Sequence, residues 1–164
     1  MLCIADVGYN TFDLHLGLGF NEMKNTYTVA VLNGDQDCAW FTETGMEGVQ
    51  RKNPNRPVSL MSRTSRQGVD RAEQRGLCYA RFIADVTLDC DQMPDKGTII
   101  GTETLQLGIL PEGKQCWPEC TLFQNKLPCP LIDGVRYAWV EVPGLLCHGD
   151  CLSVLDVRPV NAEE

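Results

Sequence analysis

A chain of 164 residues and 18.2 kDa has the length of one domain. With 43% hydrophobic and 22% charged residues it is globular in composition, and its apolar runs fall far short of the roughly 20 residues that span a bilayer. Fourteen Lys and Arg against 22 Asp and Glu leave a net charge of −8, a field that repels phosphate backbones and excludes nucleic acid as a whole-molecule partner.

In chain order, the first signal is a period of two. Phe12, Leu14, Leu16, Leu18 and Phe20 alternate with Asp13, His15, Gly17 and Gly19, the pattern of a half-buried strand. Tyr27, Val29 and Val31 resume the alternation, and Asn33-Gly34 supplies the positive-φ residues of a tight hairpin turn. Cys38 to Phe41 is then the returning strand of a three-stranded meander over about residues 11–43. Residues 46–76 break the pattern. Over residues 51–75, Arg51, Lys52, Arg56, Arg63, Arg66, Arg71 and Arg75 face only Asp70 and Glu73, and the apolar residues are aperiodic. The segment is expected to be a long basic loop with one helical turn near residues 69–74, either solvated or in contact with anions.

A second β block follows. Cys78, Ala80, Phe82, Ala84, Val86 and Leu88 fall on one face of an expected strand. Pro94 to Gly97 forms a turn, and Leu105, Leu107 and Ile109 alternate with Thr104, Gln106 and Gly108 up to Pro111-Glu112-Gly113. Further strands are expected over 137–142 and 152–157. No long stretch keeps a 3.6-residue period. The expectation is a single all-β domain over 1–164, with two antiparallel sheets packed as a β-sandwich.

Nine cysteines exceed what reducing compartments usually tolerate and point to disulfides or a metal site. The opening Met1-Leu2-Cys3-Ile4-Ala5-Asp6-Val7 has no basic start and no sustained apolar stretch, so it is not read as a secretory signal. Cys116-x₃-Cys120 and Cys147-x₃-Cys151 have spacings that could serve as two zinc knuckles, though five further cysteines suit a disulfide framework better. Catalytic groups are sparse. His15 sits on the polar side of a strand, and His148 lies between Cys147 and Cys151, where neighbouring side chains on an extended strand point to opposite faces. Asp89 and Asp91 beside a turn suit solvated carboxylates. No glycine-rich phosphate loop is present, so an enzyme is not expected.

Residues 78–143 resemble the ML family, the MD-2-related lipid-recognition domains, which include ganglioside-activator, sterol-carrier and group 2 mite-allergen types. The stretch that carries the likeness is Cys129-Pro130-Leu131-Ile132-Asp133-Gly134-Val135-Arg136-Tyr137, a C-P-L-x-x-G-x-x-Y pattern. The Cys116-Trp117-Pro118-Glu119-Cys120 segment before it is nearer the ganglioside-activator arrangement. After Tyr137 only 27 residues remain, too few for the family's closing strands, and a similar hairpin (Tyr27 to Phe41) lies at the other end of the chain.

The resemblance implies an immunoglobulin-like sandwich that shields a lipid or sterol and does not transform it, in a secreted, endosomal or lysosomal setting. It implies disulfides among Cys116, Cys120, Cys129, Cys147 and Cys151. The cavity wall would comprise Phe82, Val86, Ile100, Leu105, Leu107, Ile109, Tyr137 and Trp139, with no cofactor. The partner would be a small apolar ligand, and the basic segment could touch anionic membrane surfaces. A disulfide-rich interaction module and a zinc module are the competing expectations.

Overall fold

The structure, a computed structural model, describes residues 26–50 and 53–158. The chain runs through β1 (Thr26–Leu32), β2 (Cys38–Thr42), β3 (Gly45–Met46), β4 (Val58–Ser62), α1 (Arg63–Arg71), β5 (Val86–Asp89) and β6 (Thr98–Gly101). It continues through β7 (Gln106–Gly113), α2 (Thr121–Gln124), α3 (Pro130–Gly134), β8 (Val135–Val142), β9 (Gly144–Cys147) and β10 (Cys151–Val157). The all-β expectation holds at the level of class. The architecture, however, is a barrel: β1-β10-β6-β7-β8-β4-β5 closes on itself, and β3-β2-β9 forms a separate small sheet. Closure removes the open edges that two facing sheets would leave. The expected strand over Phe12 to Phe20 lies outside the described residues.

The expected meander is replaced by a split. The positive-φ pair after β1 is Gly34 (φ +80°) and Asp35 (φ +52°), one residue later than the expected Asn33-Gly34, and β1 pairs with β10 and β5, whereas β2 pairs with β3 and β9. A bulge between Val29 and Val31 shifts the β1–β5 register and leaves Val31 exposed while Val29 is buried, so the alternation read from the sequence is broken there.

The basic segment departs furthest from expectation, since it contains a barrel strand. All five residues of β4 are buried, and it pairs with β8 on one side and, in parallel, with β5 on the other. A strand covered on both faces shows no apolar–polar alternation. Its serines are dry but satisfied. Ser59 donates to buried Asp85, and Ser62 caps α1 by accepting from the Ser65 amide at 3.1 Å. Because β4 and β5 run parallel, the chain must cross over between them, and α1 with residues 72–85 supplies that crossover.

The long strand expected over 78–88 is reduced to β5. Amides of Tyr79, Arg81 and Phe82 bond back to the carbonyls of Gly76 and Cys78, so the chain turns there and enters the barrel only at Val86. The strands expected at 105–110, 137–142 and 152–157 are present as β7, β8 and β10, with β7 continuing through Gly113.

Two apolar clusters result. One fills the barrel and backs the small sheet, with Val29, Leu60, Val86, Ile100, Leu107 and Leu152 all at 0% exposure; each such side chain contributes about 1.5–3 kcal/mol of burial. The other lies outside the barrel, where α1, α3 and the crossover pack over β4 and β8; it includes Met61, Val69, Tyr79, Leu122, Leu131 and Val135. Among the described residues no helix is long and apolar enough to cross a membrane.

Candidate functional site: a thiol cluster beside a cationic pocket

Two long connections meet over the second cluster. The β4–β5 crossover brings Cys78 and Tyr79, and the β7–β8 connection brings Lys114, Cys116, Cys120 and Cys129. Cys78, Cys116, Cys120 and Cys129 line one small void together with Tyr79 and Leu131. Among the described residues these four and Cys90 are the free cysteines. Of the cysteines expected to be bridged, Cys116, Cys120 and Cys129 are thus unbridged thiols. Cys147 is bonded instead to Cys38, its register partner across β2 and β9, and Cys151 is also disulfide-bonded.

Local hydrogen bonds shape the cluster. The Cys120 amide donates to the Trp117 carbonyl at 3.0 Å, folding the 116–120 loop back on itself, and Gln124 Nε2 pins that turn through the Pro118 carbonyl at 3.1 Å. Cys120 is buried at the start of α2. Amides of Leu77 and Phe123 aimed at its sulfur hold the thiol below its ordinary value, against the opposing effect of burial. Cys116 is partly exposed. Burial, then a hydrogen bond to Cys120 and the neighbouring sulfur charges, push its thiol up. The Tyr79 hydroxyl, pushed up to about 12 by burial, shares a hydrogen bond with Cys129. Lys114 Nζ donates to Cys78 Sγ at 3.5 Å and lies 5.6 Å from the centre of the Phe82 ring.

The void adjoins a pocket of about 430 Å³ that shares Cys78 and Lys114 and is completed by Leu77, Arg81, Phe82, Trp117 and Glu119. Two cations and two aromatic rings thus stand at the mouth of the thiol cluster. Trp117, 61% exposed, is free to lie against a flat guest.

The expected lipid-wall residues are scattered by comparison. Val86, Ile100, Leu105, Leu107 and Ile109 are fully buried in the barrel cluster, packed on one another. Tyr137 and Trp139 point out of the barrel, because Ala138 and Val140 take the inward positions of β8. Tyr137 stacks under Arg56 at 4.8 Å, and Trp139 covers Gly108 and donates to Glu141. Phe82 borders the thiol pocket; the other seven do not.

The two zinc knuckles are not assembled, since Cys147 is bridged to Cys38. Among the described residues no three His, Cys, Asp or Glu side chains converge as a metal-ion site. His15 lies outside the described residues, and His148 is exposed, its amide bonded to the Asp37 carbonyl. Asp89 and Asp91 accept from Arg63 and Thr64 in exposed contacts. What sequence reasoning missed is the convergence of Cys78 and Lys114 on the three downstream cysteines, which depends on a crossover not visible in periodicity.

No family model matches the chain, and no curated protein matches it. Among solved structures the chain is similar to a protein described as hypothetical, with 15% identity and a TM-score of 0.59 over 82% of this chain and 70% of the other. It is also similar to the YuaD protein from Bacillus subtilis, with 16% identity and a TM-score of 0.51 over 81% of this chain and 98% of the other. At these identities the likeness is one of fold alone.

Proposed function

We propose that the chain is a binding protein for a small anionic molecule bearing a thiophilic centre, which Cys116 captures at the mouth of the thiol cluster. The observation that supports this most directly is the adjacency of two cavities: a small void lined by four unbridged cysteines and, sharing Cys78 and Lys114 with it, a pocket that adds Arg81. Thiolates are soft ligands and nucleophiles, whereas the cations and the rings of Phe82 and Trp117 suit an anionic, flat body. Because the chain carries a net −8, any attraction for an anion has to be local to this pocket.

The test compares p-mercuribenzoate, a soft centre on an anionic ring, with neutral phenylmercuric acetate. Cys116 is expected to take the anionic reagent about tenfold faster at low salt, the advantage fading as salt screens the pocket. Lys114→Gln with Arg81→Gln should abolish the preference. Equal Cys116 labelling by both reagents at every salt concentration overturns the proposal. The lipid carrier implied by the ML resemblance draws less support, because five of its eight wall residues are packed against one another inside the barrel. Displacement of a fluorescent fatty acid by p-mercuribenzoate would favour that reading for the same pocket.

A further inference from the structure

We infer that Cys116 and Cys120 form an oxidisable pair whose disulfide closes the ligand site, a regulation that rests on the binding role proposed for Cys116. The geometry already favours the bond. The turn that joins the Cys120 amide to the Trp117 carbonyl returns Cys120 toward Cys116, both sulfurs border the same void, and the two are hydrogen-bond partners. Accessibility divides their roles. Cys116 is partly exposed and follows the pocket residue Lys114 by two positions, whereas Cys120 is 2% exposed and lines only the small void behind it. The other two sulfurs have different neighbours: Cys78 accepts from Lys114, and Cys129 bonds with the Tyr79 hydroxyl.

The oxidant is a small-molecule disulfide. The Cys116 thiolate attacks one of its sulfurs, forming a mixed disulfide and expelling one thiolate, which takes up the proton Cys116 lost. Cys120, held toward its thiolate by the Leu77 and Phe123 amides, then attacks the Cys116 sulfur, forming Cys116–Cys120 and expelling the second thiolate, which takes up the proton Cys120 lost. Two protein thiols are oxidised by two electrons, and one small disulfide is reduced to two thiols. The Cys116 thiol that would meet a guest is thereby consumed.

The experiment equilibrates the full chain in glutathione buffers of graded redox ratio, quenches by alkylation and maps the peptides. The expected result is loss of exactly the Cys116 and Cys120 alkylation sites together, a Cys116–Cys120 linked peptide, parallel loss of p-mercuribenzoate uptake at Cys116, and recovery of both with dithiothreitol. Cys120→Ser should stop at a Cys116–glutathione mixed disulfide, and Cys129→Ser should still form the bond. Peptide mapping is independent of guest binding, so a bond that forms in a protein without anionic preference refutes the binding role and leaves the pair standing. A Cys116 that stays glutathionylated in the unmutated chain, or that bridges to Cys78 or Cys129, overturns the inference.

Discussion

The backbone amide and the hydroxyl of Ser59 both donate to one oxygen of Asp85, at 2.6 and 2.8 Å, across 26 residues of sequence. The Asp85 amide returns a bond to the Ser59 hydroxyl at 3.1 Å. This exchange fixes the parallel β4–β5 pair at the start of β5, and so sets where the crossover carrying Cys78 and Tyr79 ends. Both residues are buried, so water cannot replace a lost partner. Ser59→Ala is therefore expected to cost about 1–3 kcal/mol, read as a lower urea midpoint with an unchanged slope.

The Cys38–Cys147 bond joins β2 to β9 over a sequence separation of 109 residues. Closing so long a loop restricts the unfolded chain strongly. Replacing both cysteines by serine should lower stability by about 2–4 kcal/mol in urea denaturation. Since neither residue borders the thiol pocket, Cys116 labelling by p-mercuribenzoate should persist in that variant.

Gly108 lies opposite Trp139 in the β7–β8 ladder, and the indole covers it so closely that a Cβ there would overlap the ring. Gly108→Ala is expected to displace Trp139 and destabilise the barrel by about 1–3 kcal/mol. Tryptophan emission should shift to longer wavelength in the native state. An unchanged spectrum and midpoint would refute this account.

Alkaline pH should weaken the fold in two overlapping steps. Burial, with the charges of Asp89 and Asp91, pushes the Cys90 thiol from 9.0 up to about 11, and burial with the Cys129 hydrogen bond pushes Tyr79 from 10.0 up to about 12. The folded state favours the protonated form of each group, so their contributions are complete below pH 9 and are lost as the pH rises through 9–11 and then 10–12. Urea midpoints measured at pH 8.5, 10 and 11 should fall in that order. Cys90→Ala should flatten the earlier part of the decline.

The elements that could be read in the sequence are those with one dry face and one wet face. Leu105, Leu107 and Ile109 announce β7 because their neighbours differ in polarity, and Cys151 to Val157 do so for β10. By contrast, β4 was hidden: the α1–α3 layer covers the face that would otherwise be wet, so Ser59 and Ser62 are buried beside Val58, Leu60 and Met61. The Phe82–Val86 alternation misled for the opposite reason. It has a strand's period, yet the backbone turns at Cys78 and sends Phe82 to the outer cluster while Val86 enters the barrel.

Sequence alone determined the strand-rich class and an unusual supply of sulfur, because periodicity and composition are local properties. Tertiary structure decided which cysteines are bridged and which remain free. Cys38 and Cys147 are far apart in sequence and become neighbours only when β2 pairs with β9. Cys78 joins Cys116, Cys120 and Cys129 only when a parallel strand pair forces the chain over the outside of the barrel. Such long-range pairings are settled by how strands close and cover one another, which no local pattern of residues encodes.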